Sequence, residues 1–149
     1  MGITAFLFPG QGSQKVGMGL DLTKEDTLAR QTFDEADQAL GYKLSQLIFN
    51  GPAEKLMSTA YAQPAILTHS IALYRLFCSL TEARPAYMAG HSLGEYSALV
   101  AAGALNFQEA VKLVHDRGFY MEEAVPTKTG AMAAILGLPK EPIEKACQA

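Results

Sequence analysis

The stretch Tyr87-Met88-Ala89-Gly90-His91-Ser92-Leu93-Gly94-Glu95-Tyr96-Ser97-Ala98 decides the fold. Its first three residues read as a short apolar strand, Gly90-x-Ser92-x-Gly94 as a tight turn, and residues 95–102 as a small-residue helix stopped by Gly103. A strand that feeds a serine into a glycine-flanked turn opening a helix is the nucleophile-elbow pattern. The glycines have a steric reason, since a side chain at Gly90 or Gly94 would collide with the neighbouring strand or helix. The turn lifts the hydroxyl to a helix N-terminus, where the dipole and free N–H groups favour developing negative charge. Ser92 is therefore the candidate nucleophile, and the N–H of Leu93, one residue on, is the natural oxyanion donor. The bare pattern also describes a plain glycine-rich turn. Its strand–turn–helix context is what favours the chemical reading.

Outward from this turn, strand and helix patterns alternate. Residues 3–8 form a continuous apolar run ended by Pro9-Gly10, which predicts a fully buried strand, and Gln11-Gly12-Ser13-Gln14 then makes a polar loop. Residues 26–40 read as a helix with Asp26 as N-cap, a Leu28/Phe33/Ala36/Leu40 stripe and Gly41 as stop. Residues 44–49 give a shorter helical piece closed by Asn50-Gly51-Pro52, and residues 64–80 a long, mostly buried helix with Pro64 in its first turn. Residues 106–125 form a further helix, with Asn106 as N-cap, Glu109 completing a capping box and Pro126 ending it. The class is α/β. After Pro126 comes the linker-like Thr127-Lys128-Thr129-Gly130, an apolar strand over 131–138 and a helix over 141–148. One βα unit cannot cover its own sheet face, so residues 127–149 read as the start of a second, truncated subdomain.

Composition narrows the function. The 149 residues are 49% hydrophobic and 18% charged, with a net charge of −3 and no Lys/Arg block, which describes a soluble globular domain without a nucleic-acid footprint. Cys78 and Cys147 lie too far apart in sequence for a zinc site and make a weak disulfide framework, so no metal is expected and reduced thiols suit a cytoplasmic setting. The opening residues lack the basic region and long apolar run of a signal peptide, and no apolar stretch reaches membrane-spanning length.

A serine nucleophile needs a base. His91 is adjacent in a tight turn and should point away, His69 lies within the long helix, and His115 falls on the polar face of the 106–125 helix. Each reads more readily as a packed or solvated histidine than as the base. On that last helix, Ala110, Val114, Met121 and Val125 share one face, flanked by Leu113, Gly118 and Ala124; Lys112, His115, Asp116, Glu122 and Glu123 lie opposite. Arg117 projects from the middle of the apolar stripe. A guanidinium there pairs internally with a carboxylate such as Glu95 or Asp21, snorkels outward, or awaits a substrate carboxylate that its planar fork can grip. The helix pattern alone leaves these open. The Gly10-Gln11-Gly12 loop lacks the third glycine of a dinucleotide fingerprint and any Gly-Lys-Ser/Thr, so it is neither of the common phosphate cradles. It is a plain turn or the donor of a backbone N–H to a nearby oxyanion.

Five segments, in this order and spacing, resemble the bacterial-type malonyl-CoA:acyl-carrier-protein transacylases and related acyltransferase domains of fatty-acid and polyketide synthases. They are Phe8-Pro9-Gly10-Gln11-Gly12-Ser13-Gln14, Gln63-Pro64-Ala65, Gly90-His91-Ser92-Leu93-Gly94-Glu95-Tyr96, the Arg117 segment and Gly130-Ala131-Met132-Ala133-Ala134. The resemblance covers about the first half of such a protein. It implies an α/β-hydrolase-like core with a parallel sheet over residues 1–126, and the first βα unit of a ferredoxin-like subdomain over 127–149. It implies that malonyl-CoA acylates Ser92 and that the phosphopantetheine thiol of acyl carrier protein then takes the malonyl group, in fatty-acid biosynthesis. Gln11 and Leu93 would give backbone N–H groups to the oxyanion, Arg117 would hold the malonyl carboxylate, and Met121 would line the acyl pocket. Gln63 matches a motif position without an assigned role. No cofactor is implied, because the CoA thioester is a substrate. The family's catalytic histidine and a further active-site glutamine belong to the second half, so these 149 residues alone should be inactive and poorly stable unless that half is supplied. A serine esterase or thioesterase with the same elbow, and a non-catalytic carrier-protein-binding fragment, are the alternatives.

Overall fold

The computed structural model of the chain describes residues 3–124 and 135–148. Strands β1 (Ala5–Phe8) and β2 (Tyr87–Gly90) pair in parallel, with Ala5 opposite Tyr87 and Phe8 opposite Gly90. Parallel neighbours require a crossover, and five helices provide it: α1 (Leu20–Glu25), α2 (Thr27–Leu40), α3 (Leu44–Asn50), α4 (Ala53–Met57) and α5 (Thr59–Leu80). After β2 come α6 (Leu93–Ala101), α7 (Phe107–Ala124) and α8 (Lys140–Cys147). Among the described residues the architecture is α/β, mostly helical with a small parallel sheet.

The helix ends follow the residues expected to set them. The Asp26 carboxylate accepts the Ala29 N–H at 2.8 Å, and Gly41 closes α2 in the left-handed conformation that lacks a Cβ penalty. Asn106 Oδ1 accepts from the N–H groups of Gln108 and Glu109 at 2.9 and 3.2 Å and so caps α7. Helix α5 is the hub of the core. Its Leu67, Ile71 and Ala72 belong to one buried cluster with Phe33 and Ala36 of α2, Leu44 and Ile48 of α3, Leu93 of α6, and Val111 and Val114 of α7. Each large side chain in that cluster contributes about 1.5–3 kcal/mol by leaving water. Arg75 ties three helices at the rim: Nη1 donates to Glu35 and to Thr32 Oγ1, both at 3.0 Å, and its guanidinium lies 4.8 Å from the Phe107 ring centre.

Three sequence expectations change. Helix α5 begins at Thr59, which places Pro64 in its second turn rather than its first. A tertiary contact holds the extra turn: the Glu122 carboxylate of α7 accepts from Ser58 Oγ at 2.6 Å and from the Ala60 N–H at 3.4 Å. Glu122, assigned to the solvent face by periodicity, is thus a helix cap supplied from another element. Strand β1 is not fully buried. Phe6 and Phe8 pack edge-on against Tyr74 and Phe77 of α5, whereas Leu7, on the alternate face, is 79% exposed. The described helices leave that face of the strand pair open. Of the strand expected over 131–138, residues 131–134 lie outside the described residues, and residues 135–138 are not in a strand. The helix after it does form, as α8, and buries none of its residues. The linker-like residues 127–130 and the end of the 106–125 helix at Val125-Pro126 also lie outside the described residues. Helices α1 and α4 were not anticipated, since six and five residues are too few to show a period. No helix among the described residues is long and apolar enough to cross a membrane.

Candidate active site

The serine turn is held under strain. Ser92 has φ 53° and ψ −109°, the one positive φ at a non-glycine residue among those described, a conformation that costs about 1–3 kcal/mol. The two flanking glycines make it possible. A Cβ at Gly90 would overlap the Gly94 carbonyl carbon, and a Cβ at Gly94 would overlap the Phe8 carbonyl oxygen. Helix α6 therefore starts in backbone contact with both strands, and the exposed Ser92 side chain stands at its N-terminus. Gly94 N–H donates to the His91 carbonyl at 2.9 Å and Glu95 N–H to the Ser92 carbonyl at 3.1 Å. Among the described residues, the Leu93 N–H has no protein acceptor.

The loop after β1 is pressed against this turn. A Cβ at Gly10 would lie 2.6 Å from the His91 carbonyl oxygen, so only glycine permits the approach. The next residue, Gln11, donates through Nε2 to Thr59 Oγ1 at 3.1 Å, while its backbone N–H is likewise unclaimed among the described residues. N–H groups without an acceptor among the described residues, on two adjoining turns one of which carries an exposed hydroxyl, are parts from which an oxyanion site can be made.

Helix α7 brings a cation to the same place. Gly118 packs against the start of α5, where a Cβ would be 2.6 Å from the Thr59 carbonyl oxygen and 2.7 Å from Ala60 Cα. That close approach sets the neighbouring Arg117 over the serine. Its Nη2 donates to Ser92 Oγ at 3.3 Å, its Nη1 to Gln63 Oε1 at 2.7 Å, and its guanidinium lies 5.7 Å from the Tyr96 ring centre. No ion pair joins Arg117 to a carboxylate among the described residues, so the internal pair with Glu95 or Asp21 is not formed. The buried stripe of α7 is also rotated from the expected one. It runs through Ala110, Val111, Val114 and Gly118, leaving Leu113 and Met121 47% and 39% exposed and Arg117 at its edge. Met121 lies one turn beyond Arg117, and its Sδ accepts from Gln63 Nε2 at 3.4 Å.

None of the three histidines hydrogen-bonds Ser92. His91 Nδ1 lies beside Gly10. His69 sits against Gly19 with its Nδ1 buried and without a hydrogen-bond partner among the described residues. Burial holds its pKa below the ordinary 6.5, with Asp21 pulling upward and Lys15 adding to the depression. His115, on the face that periodicity gives as polar, is half-buried near Tyr42 and Tyr61, at 5.8 and 6.3 Å between ring centres, and is the packed rather than the solvated histidine of the two readings. Cys78 and Cys147 are free thiols, and no group of side chains suited to a metal ion occurs among the described residues.

The sequence profile of the acyl transferase domain matches residues 5–148. The chain belongs to the acyl transferase family. This acyl transferase chain is 56% identical over 144 residues to the malonyl CoA-acyl carrier protein transacylase of Escherichia coli K12, covering 97% of the chain and 47% of that relative. The solved malonyl CoA-acyl carrier protein transacylase of Coxiella burnetii matches with a TM-score of 0.92 at 51% identity, over 98% of this chain and 46% of that one. A malonyl-transacylase solved with its type II polyketide acyl-carrier protein matches with a TM-score of 0.92 at 49% identity, over 99% and 48% of the two chains. The acyl transferase chain thus spans about half the length of the curated relatives it matches.

Of the residues picked out from the sequence, Ser92 and Leu93 form the turn, Arg117 reaches Ser92, Gln11 follows the Gly10 that is pressed against His91, and Met121 is linked to the group only through Gln63. Thr59 was missed, and Gln63 and Tyr96 were noticed within the matching segments without a role. One signal could have found Gln63: it is a polar residue beside Ala62 and Pro64-Ala65-Ile66-Leu67, a helix segment that is otherwise buried and apolar.

Proposed function

We propose that this chain carries the acyl-accepting part of a transacylase site that moves a malonyl group from CoA to the phosphopantetheine thiol of acyl carrier protein, in fatty-acid biosynthesis. The observation that carries this reading is Arg117, without a carboxylate partner among the described residues and 3.3 Å from Ser92 Oγ. In a malonyl thioester a single methylene separates the carbonyl to be attacked from the free carboxylate. A guanidinium that grips the carboxylate must therefore sit close to the nucleophile, and an uncharged acyl group has no use for it.

In this reading Ser92 Oγ attacks the thioester carbonyl, and the tetrahedral oxyanion accepts the N–H groups of Leu93 and Gln11. The serine proton passes to a base, the C–S bond breaks, and CoA leaves as its thiol once it regains a proton. The carrier thiol then attacks malonyl-Ser92 and restores the serine hydroxyl. Arg117 holds the malonyl carboxylate throughout, and Met121 forms part of the acyl wall. The base is not one of the three histidines here and belongs to the half of the relatives that this chain does not match. The CoA thioester is a substrate, so no cofactor enters.

Residues 1–126 are read as the N-terminal part of an α/β-hydrolase-like core and residues 127–149 as the start of a ferredoxin-like subdomain. Helix α8, which buries nothing, supports that division. The free cysteines suit a cytoplasmic protein.

The test is intact-protein mass spectrometry after incubation with malonyl-CoA, on the chain alone and joined to the remaining half of the E. coli relative. A malonyl adduct lost in Ser92→Ala and discharged by the carrier thiol is expected of the joined protein. Discharge to water as fast as to the thiol would favour an esterase. No adduct in either form would leave only a non-catalytic module.

A further inference from the structure

We infer that Gln63 is a positioning residue whose neutral amide aims Arg117 at Ser92 without quenching its charge, an inference that rests on the malonyl reading above. Gln63 is fully buried on α5, in a stretch where Ala60, Ala62, Ala65, Ile66 and Leu67 are buried as well. A buried amide is costly unless its donor and acceptor both find partners. Both partners here come from α7. Oε1 accepts from Arg117 Nη1 at 2.7 Å, and Nε2 donates to Met121 Sδ at 3.4 Å. The orientation is dictated by chemistry, because a guanidinium has donors only and must face the carbonyl oxygen. The NH2 group is then left for the thioether, a weak acceptor. One amide thereby fixes two residues a turn apart, the cation and the methionine beside it.

The choice of an amide follows from what Arg117 has to do. A carboxylate at position 63 would hold the guanidinium more tightly through a charge-assisted bond, but it would compete with an incoming carboxylate for the same cation. An apolar side chain would leave Nη1 unpaired and the guanidinium guided only by the Tyr96 ring and Ser92. Glutamine supplies direction and leaves the positive charge undiminished beside the serine hydroxyl.

The experiment compares Gln63→Met and Gln63→Glu in the chain joined to the remaining half of the E. coli relative. Its readouts are kcat/KM for malonyl-CoA against acetyl-CoA and the crystal structure of each variant. The ratio of malonyl to acetyl use should fall by roughly tenfold to a hundredfold in both variants, expressed mainly in the malonyl KM. In an Arg117→Ala background neither change should lower that ratio further. In the Gln63→Met structure Arg117 should leave Ser92. An equal loss for both donors, the same loss without Arg117, or an Arg117 still seated on Ser92 in Gln63→Met would overturn the inference. Should Gln63→Met not fold, an unchanged malonyl preference in Gln63→Glu overturns it as well. Failure of the malonyl reading looks different, as absence of any Ser92 adduct in the unsubstituted protein. The crystallographic position of Arg117 tests Gln63 without turnover.

Discussion

Gly118→Ala would test the contact that places Arg117. The added methyl would stand 2.6 Å from the Thr59 carbonyl oxygen and 2.7 Å from Ala60 Cα, where ordinary contact begins at 3.4 Å. Both neighbours are backbone, so no side chain can rotate away, and α5 and α7 must part by about 0.8 Å, an overpacking that costs about 1–3 kcal/mol. Opposing this, alanine in a helix interior is favoured over glycine by about 1 kcal/mol. Backbone clashes fall at the upper end of the overpacking range, so the net loss should be about 2 kcal/mol. For a chain of this size that lowers the melting midpoint by about 4–8 °C. The assay is thermal unfolding followed by far-UV circular dichroism, with Gly41→Ala as a comparison for strain at a turn with open space around it. A midpoint unchanged or raised in Gly118→Ala would mean that propensity outweighs packing, and the close approach of the two helices would be refuted.

Arg117→Ala in the protein joined to the other half of its relative should lower the preference for malonyl-CoA over acetyl-CoA by about 10- to 100-fold, the value of a charged hydrogen bond. Steady-state transfer to the carrier thiol reads it, and an equal fall for both donors would contradict the carboxylate role. Asp26→Ala removes the acceptor of the Ala29 N–H and should cost about 1 kcal/mol in denaturant titration. His69 adds a pH dependence. Its folded pKa lies below 6.5, so the unfolded chain takes up the proton first as the pH falls. Stability is therefore full above that value and is lost as the pH drops below it toward the folded pKa. Melting midpoints measured from about pH 7.5 to about pH 5 should fall less steeply in His69→Leu, and identical slopes would remove His69 as a cause.

Local rules read the elements well where a residue acts on its own backbone. Asp26, Gly41 and Asn106 cap helices as their chemistry requires, and Gly90 and Gly94 allow the strained serine turn that their spacing announced. The reading failed where the partner was distant in sequence. The start of α5 depends on Glu122 of α7, a residue that periodicity placed on the solvent face. Leu7 is exposed because a continuous apolar run reports what a strand can bury, not what lies over it.

The same division runs through the site. Residue types and spacing pointed to Ser92 as the candidate nucleophile and to the Leu93 N–H beside it, because a turn of this kind is built from bonds and clashes among a few consecutive residues; the part of Gln11 came only with the family resemblance. The meaning of Arg117 was undecidable from its helix, where an internal ion pair and a substrate clamp give the same periodicity. Packing of α7 on α5 through Gly118 brings it to Ser92, with an uncharged amide and no carboxylate beside it among the described residues. That arrangement joins residues 63, 92 and 117, and only the folded chain can bring together groups so far apart in sequence.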